Sequence, residues 1–176
     1  MIQLEEEKRL VAYAADCTEN YATAYFFGGI GDLLTEHIIA YKAAKFPSAF
    51  PGERLEMLRS LVGTGTYGFD CSGLIKHYFM GGFQHFAFNK AQDLDSDMMF
   101  RAAVEKGPID TLPEIPGLIL FLKGHVGIYV GAGKVIEATP RVSPVRGVVC
   151  SELAEVPWTH WLRCPLIPGC ALEREP

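Results

Sequence analysis

The chain has 176 residues, 49% hydrophobic and 21% charged, a balance that suits one globular domain and excludes a disordered chain. Sixteen Lys and Arg against twenty-one Asp and Glu give a formal charge of -5, and no basic stripe is visible, which argues against a nucleic-acid partner. No apolar run approaches the ~20 residues needed to cross a bilayer, and the charged residues 1–10 carry no legible secretory leader, which leaves the compartment open between the cytoplasm and export by another route.

Residues 4–24 read as a helix with Leu10, Val11, Ala14 and Cys17 as its apolar stripe. The segment Gly28-Gly29-Ile30-Gly31-Asp32 breaks it, and without a G-K-[ST] signature it does not read as a phosphate cradle. A second helix over residues 33–45 carries Leu34, Ile38 and Tyr41; the prolines within 46–51 end it, and residues 52–61 make a third. Gly63, Gly65 and Gly68 mark a loop leading to Cys71. There Asp70 or Ser72 caps a helix bearing Ile75, Tyr78 and Phe79, closed by Gly81-Gly82.

Asp93, Asp95 and Asp97 have the spacing of a calcium loop but lack its glycine and its closing glutamate, so solvated positions are expected. A short helix over 98–104 should end by Gly107-Pro108. After Pro116 the pattern changes to strands, at 118–122, 125–130, 135–138, 148–150 and 161–164. Helices first and strands after predict an α+β domain with one antiparallel sheet.

The cysteines are Cys17, Cys71, Cys150, Cys164 and Cys170, an odd number with no C-x-x-C spacing. This speaks against zinc and thioredoxin-like chemistry, and no metal or cofactor is expected. Cys164 and Cys170 are spaced to close a short loop, with reduced thiols an equal reading. Cys71 stands apart because a helix start offers unpaired N–H groups that stabilise a thiolate and, during attack on a carbonyl, an oxyanion. It is expected to be the reactive thiol.

A cysteine nucleophile needs a base. His125 opens a strand after Lys123-Gly124, and Gly127 is expected to leave room for a helix packed across the sheet. His77 lies six residues after Cys71 on the same helix, about 120° round the axis; His37 and His85 have loop or surface contexts, and His160, between Trp158 and Trp161, suits an aromatic cluster. A three-residue Gly131-Ala132-Gly133 loop would pair Gly127 with Glu137 and make Glu137 the diagonal neighbour of His125, about 7–8 Å away at Cα. Glu137 is then placed to orient the imidazole, and an exposed edge-strand glutamate is the alternative.

Asp70-Cys71-Ser72-Gly73-Leu74-Ile75 and Gly124-His125-Val126-Gly127-Ile128-Tyr129-Val130-Gly131 together resemble the nucleophile and histidine motifs of the NlpC/P60 family of papain-like cell-wall cysteine peptidases. Glu137-Ala138 falls at the family's third polar position, and Ala24-Tyr25-Phe26-Phe27-Gly28-Gly29 is similar to its Tyr-x-x-Gly-Gly segment. The resemblance implies a single catalytic domain over residues 1–176, with Cys71, His125, Glu137 and Tyr25 catalytic and Asp70, Ser72 and Gly124 beside the substrate. It implies hydrolysis of an amide in a murein peptide through a thioester, usually next to a γ-linked D-glutamyl residue, without a cofactor. Two departures stand out: histidine is commoner than glutamate at the third position, and residues 31–67 read as a helical insertion covering one side of the groove. Acyl transfer from the same thioester is the alternative activity, and a murein-peptide-binding module without turnover is the non-enzymatic one.

Overall fold

The computed structural model describes residues 2–141 and 146–171. Helix α1 (Ile2–Glu19) buries Leu10, Ala14 and Cys17, the stripe its sequence predicts. It ends before residue 24, because Thr23–Tyr25 form strand β1. This strand pairs in parallel with β3 (Tyr67–Phe69), and β2 (Ile30–Leu33) pairs antiparallel with the other edge of β3. The fold therefore has a second, three-stranded sheet where the sequence suggested helix ends and a loop. Strands of three or four residues are too short for a period-2 pattern, so tertiary pairing decides them.

Between β2 and β3 lie α2 (Glu36–Lys45), capped by the Thr35 side chain, and α3 (Gly52–Ser60). Residues 31–67 are thus helical only in their middle, with strand at both ends. Ala24, Phe26, Leu34, Ile39, Phe50 and Leu58 bury a small core beneath these helices.

The main sheet has six antiparallel strands in the order β4-β9-β5-β6-β7-β8. They are β4 (Lys106–Pro108), β5 (Ile119–Leu122), β6 (His125–Gly131), β7 (Lys134–Ala138), β8 (Val148–Glu152) and β9 (His160–Leu162). Helix α4 (Cys71–Phe79) packs with α1 on one face, where Leu10, Leu74 and Ile75 meet Val126, Ile128 and Ile136. Each such fully buried side chain stabilises the fold by about 1.5–3 kcal/mol. The alternate strand positions, Leu118, Leu120, Tyr129 and Val135, form a separate core with Trp158 on the opposite face.

Short α5 (Gly82–His85) and α6 (Ser96–Ala102) lead into the sheet. Helix α6 stops before residue 104, and Pro108, which has no N–H to donate, sits in edge strand β4. The three aspartates are not simply solvated. Asp93 pairs with the buried Lys76 at 2.7 Å, Asp95 caps α6 through Met98 N, and Asp97 accepts from Gly124 N at 3.0 Å.

The β6–β7 turn is tighter than predicted. Ala132 and Gly133, at φ 51° and 71°, form a two-residue turn, and a bulge between Tyr129 and Gly131 takes up the extra residue. The bulge preserves the expected register, in which Ile128 opposes Ile136 and Tyr129 opposes Val135.

Candidate active site

Strand β3 runs directly into α4, so sheet pairing fixes the position of the helix start. Asp70 is the cap: its carboxylate accepts from Gly73 N at 2.5 Å, Gly28 N at 3.0 Å and Ser72 Oγ at 3.2 Å. Asp70 N donates to Gly29 O at 3.0 Å. A Cβ on Gly73 would lie 1.9 Å from Gly29 O, so the glycine is required by this close approach. Asp70 and the buried Ser72 are therefore engaged with each other and with the Gly28-Gly29 loop.

Cys71 is the first helical residue, with 9% of its surface exposed. Its Sγ lies 4.0 Å from the Gly124 carbonyl oxygen. Burial, and next the Asp70 charge, push the thiol up to about 12; the N–H groups of Val126, Ser72 and Cys71 itself act in the opposite direction. This corrects the expectation that the helix start would favour a thiolate: in the resting protein Cys71 carries its proton. Cys150 is the exposed thiol among the five, all of which are free.

His125 heads β6, and its Nε2 lies 2.5 Å from Glu137 Oε2. The imidazole stacks on Trp158, with centroids 5.3 Å apart and planes within 14°. Trp158 also explains Gly127, whose added Cβ would meet Val135 at 2.7 Å and the indole at 3.0 Å. The glycine makes room for Trp158 and Val135, not for the helix across the sheet.

Glu137 is 1% exposed, and all its charge is answered. Its Oε1 accepts from Ser151 Oγ and from Arg141 Nη2, both at 2.7 Å, and Arg141 Nη1 reaches Glu155 at 3.1 Å. Burial pushes the Glu137 carboxyl up, but the hydrogen bonds from His125 and Ser151 and the attraction of His125 and Arg141 outweigh it and hold the group below its usual range. Sequence reasoning did not single out Arg141 or Ser151. The available signal was Glu137 itself, a carboxylate among Val135, Ile136 and Ala138 that needs partners if buried.

The structure joins His125 to Glu137 and brings Cys71 against the backbone on either side of His125. It does not hydrogen-bond the thiol to the ring, and among the described residues His125 Nδ1 has no partner. Apo sites commonly show such open catalytic contacts. Tyr25 ends β1 opposite Phe69, two residues before Cys71. Burial, then the nearby Cys71 and Asp70, raise its phenol, so the hydroxyl remains a donor at neutral pH.

The competing histidines are accounted for separately. His77 is buried and hydrogen-bonded to Tyr13, and His160 meets Phe100 edge-on and Phe121 at a tilt, with its Nδ1 3.0 Å from Thr159 Oγ1. His37 and His85 are exposed. Among the described residues, no group of three His, Cys, Asp or Glu side chains is placed to hold a metal ion, and no helix is long and apolar enough to cross a membrane.

A cysteine at a helix start beside an imidazole–carboxylate pair on an antiparallel sheet is the arrangement that the sequence motifs anticipate. The model of the NlpC/P60 family matches residues 60–166, more than half of the chain, and the chain belongs to that family. The matched region contains Cys71, His125 and Glu137; Tyr25 and helices α2 and α3 precede all or nearly all of it. No curated protein matches the chain significantly.

Similar solved structures include the P60 domain of an antigen from M. avium subspecies paratuberculosis, at 20% identity and TM-score 0.49, covering 92% of this chain and 98% of that one. The NlpC/p60 domain of peptidoglycan hydrolase SagA matches at 18% identity and TM-score 0.46, over 89% of this chain and 97% of that one. The peptidoglycan hydrolase RipB from Mycobacterium tuberculosis matches at 21% identity and TM-score 0.49, over 90% of this chain and 66% of that one.

Proposed function

We propose that this protein is a cysteine hydrolase that cleaves an amide bond in peptidoglycan peptides through a thioester. Membership of the NlpC/P60 family supports a cell-wall hydrolase role. The observation that carries the finer reading is the 2.5 Å contact between His125 Nε2 and the buried Glu137 carboxylate. A carboxylate on Nε2 favours the tautomer with its proton there and leaves the Nδ1 lone pair available as a base.

In the proposed reaction Cys71 Sγ attacks the amide carbon while its proton passes to His125 Nδ1. Proton transfer accompanies attack, since the resting thiol is protonated. The oxyanion accepts hydrogen bonds from the Cys71 N–H and the Tyr25 hydroxyl. His125 then protonates the leaving nitrogen, the C–N bond breaks, and a thioester remains on Cys71. Water attacks the thioester with His125 as base, the C–S bond breaks, and the acid product and free thiol are released. Glu137 stabilises the transient imidazolium; Asp70 and Ser72 shape the floor on which the substrate lies, and Gly124 borders the thiol. No cofactor takes part in these steps.

Residues 1–176 act as one catalytic domain in this reading, with 31–67 as an insertion walling one side of the groove. Incubating the purified protein with sacculi and with short muropeptides tests it. New amine ends released by the wild type and not by Cys71→Ala are expected. A modified acyl product in place of free acid would indicate transfer, and binding without either product would indicate a recognition module.

A further inference from the structure

Three aspartates at alternate positions fasten the segment that enters α6. Asp93 pairs at 2.7 Å with Lys76, which lies on α4, the helix that begins at Cys71. Asp97, in the first turn of α6, accepts at 3.0 Å from the N–H of Gly124, the residue before His125. Asp95 caps α6 between them, and Leu94 is buried in the same core as Cys71 and Val126. The segment is therefore tied at one end to the helix that carries the thiol and at the other to the strand that carries the imidazole. Asp97 has no other side-chain partner among the described residues.

Gly124 is where this tie reaches the thiol. Lys123 and Gly124 form the two-residue turn between β5 and β6, where Leu122 opposes His125, and Gly124 has φ 80°. Its N–H points to Asp97, and its carbonyl oxygen lies 4.0 Å from Cys71 Sγ. The thiol thus rests on a residue whose N–H is held by a carboxylate, and charge-assisted hydrogen bonds of this kind are the stronger ones. A glycine at positive φ pivots at little steric cost, so the outside contact is what holds the turn in one orientation.

We infer that Asp97 is a positioning residue: by holding the Gly124 N–H it fixes the turn on which the Cys71 thiol rests, and so sets the distance over which the thiol proton passes to His125. Asp97 acts through Gly124 and takes no proton itself. What it supplies is an acceptor oxygen at the right place, so an amide of the same shape serves in its stead. The inference rests on the reading of Cys71 and His125 as nucleophile and base, and it gives a role to the aspartates whose spacing resembles a calcium loop.

The test follows labelling of Cys71 by iodoacetamide at pH 7, mapped by mass spectrometry, and needs no murein substrate. The proteins are the wild type, Asp97→Ala, Asp97→Asn, His125→Ala and the Asp97→Ala/His125→Ala double variant. Asp97→Ala and His125→Ala should each slow labelling about tenfold or more, since small misplacements of reacting groups are costly. The double variant should be no slower than His125→Ala, because Asp97 works only through the transfer to the ring, and Asp97→Asn should keep most of the wild-type rate. Asp97→Leu, matched to asparagine in shape but without an acceptor, repeats the test if the alanine variant does not fold. A merely structural tie would, when cut, expose the buried thiol and speed its labelling. Faster or unchanged labelling in the alanine and leucine variants, or effects of Asp97→Ala and His125→Ala that multiply, would overturn the inference. Wild-type labelling in His125→Ala would refute the base assignment, and the inference with it. Murein hydrolysis is scored separately: coupled effects of Asp97 and His125 on the thiol without hydrolysis would sustain the positioning role and refute the hydrolase reading alone.

Discussion

Glu137 touches His125 through one carboxylate oxygen, at 2.5 Å, and gives the other to Ser151 and Arg141, both at 2.7 Å. The carboxylate that faces the imidazole is therefore itself held on both sides, which suits the orienting role proposed for it.

Replacing Glu137 should separate hydrogen bonding from charge. Glu137→Gln keeps an acceptor for the ring N–H and should retain measurable activity, while Glu137→Ala should lose about 100-fold or more. Both remove the charge that favours imidazolium, so the acid limb of the pH–rate profile should move to lower pH. Wild-type rates and an unchanged profile in the alanine variant would remove Glu137 from the site.

Arg141 should act on the reaction through Glu137. Its guanidinium helps hold that carboxyl below the usual range. In Arg141→Met the carboxylate should protonate at higher pH, so activity should fail earlier on acidification, and Arg141→Lys should restore part of the lost range. The pH dependence of kcat for the three proteins reads this out; identical profiles would leave Arg141 a surface ion pair with Glu155.

Much of this site was legible in sequence. The helix start at Cys71, the strand at His125 and the face shared with Glu137 follow from local patterns, because the cap residue and the even spacing are encoded within a few positions. The small sheet was not legible. Thr23–Tyr25 and Tyr67–Phe69 are three-residue strands paired across more than forty residues, and neither has a periodicity of its own. Ser151 was hidden for a related reason, since it meets Glu137 only when β7 and β8 lie side by side, and Arg141, four residues after Glu137, lies beyond the end of β7 where no strand period places it.

Cys150 should alkylate first when the folded protein is treated with iodoacetamide at pH 7. It is exposed, whereas Cys71 is buried and its thiol is pushed up to about 12. Labelling of Cys71 should accelerate as pH rises, and should be slower still in His125→Ala. Mass mapping in which Cys71 labels ahead of Cys150 at pH 7 would show that His125 already holds the proton in the resting protein.

Acid should destabilise the fold through His77. Burial lowers it from the usual 6.5 to about 4, against the opposing pull of Asp32, and its Nδ1 is engaged with Tyr13. Because the folded value is depressed, the unfolded chain binds the extra proton. The contribution is fully present above about pH 6.5 and is lost as pH falls towards about 4, by roughly 3 kcal/mol in all. Urea unfolding at pH 7.5 and pH 4.5 should show this loss in the wild type and much less of it in His77→Gln. Equal losses in the two proteins would contradict the assignment.

The most direct measurement of the central claim is mass spectrometry of the protein quenched in acid during turnover of a murein peptide. A covalent adduct equal to the acyl portion of the substrate, mapped to the peptide containing Cys71 and absent in Cys71→Ala, is the predicted result. Hydrolysis that continues in Cys71→Ala with no adduct on the wild-type protein would contradict it.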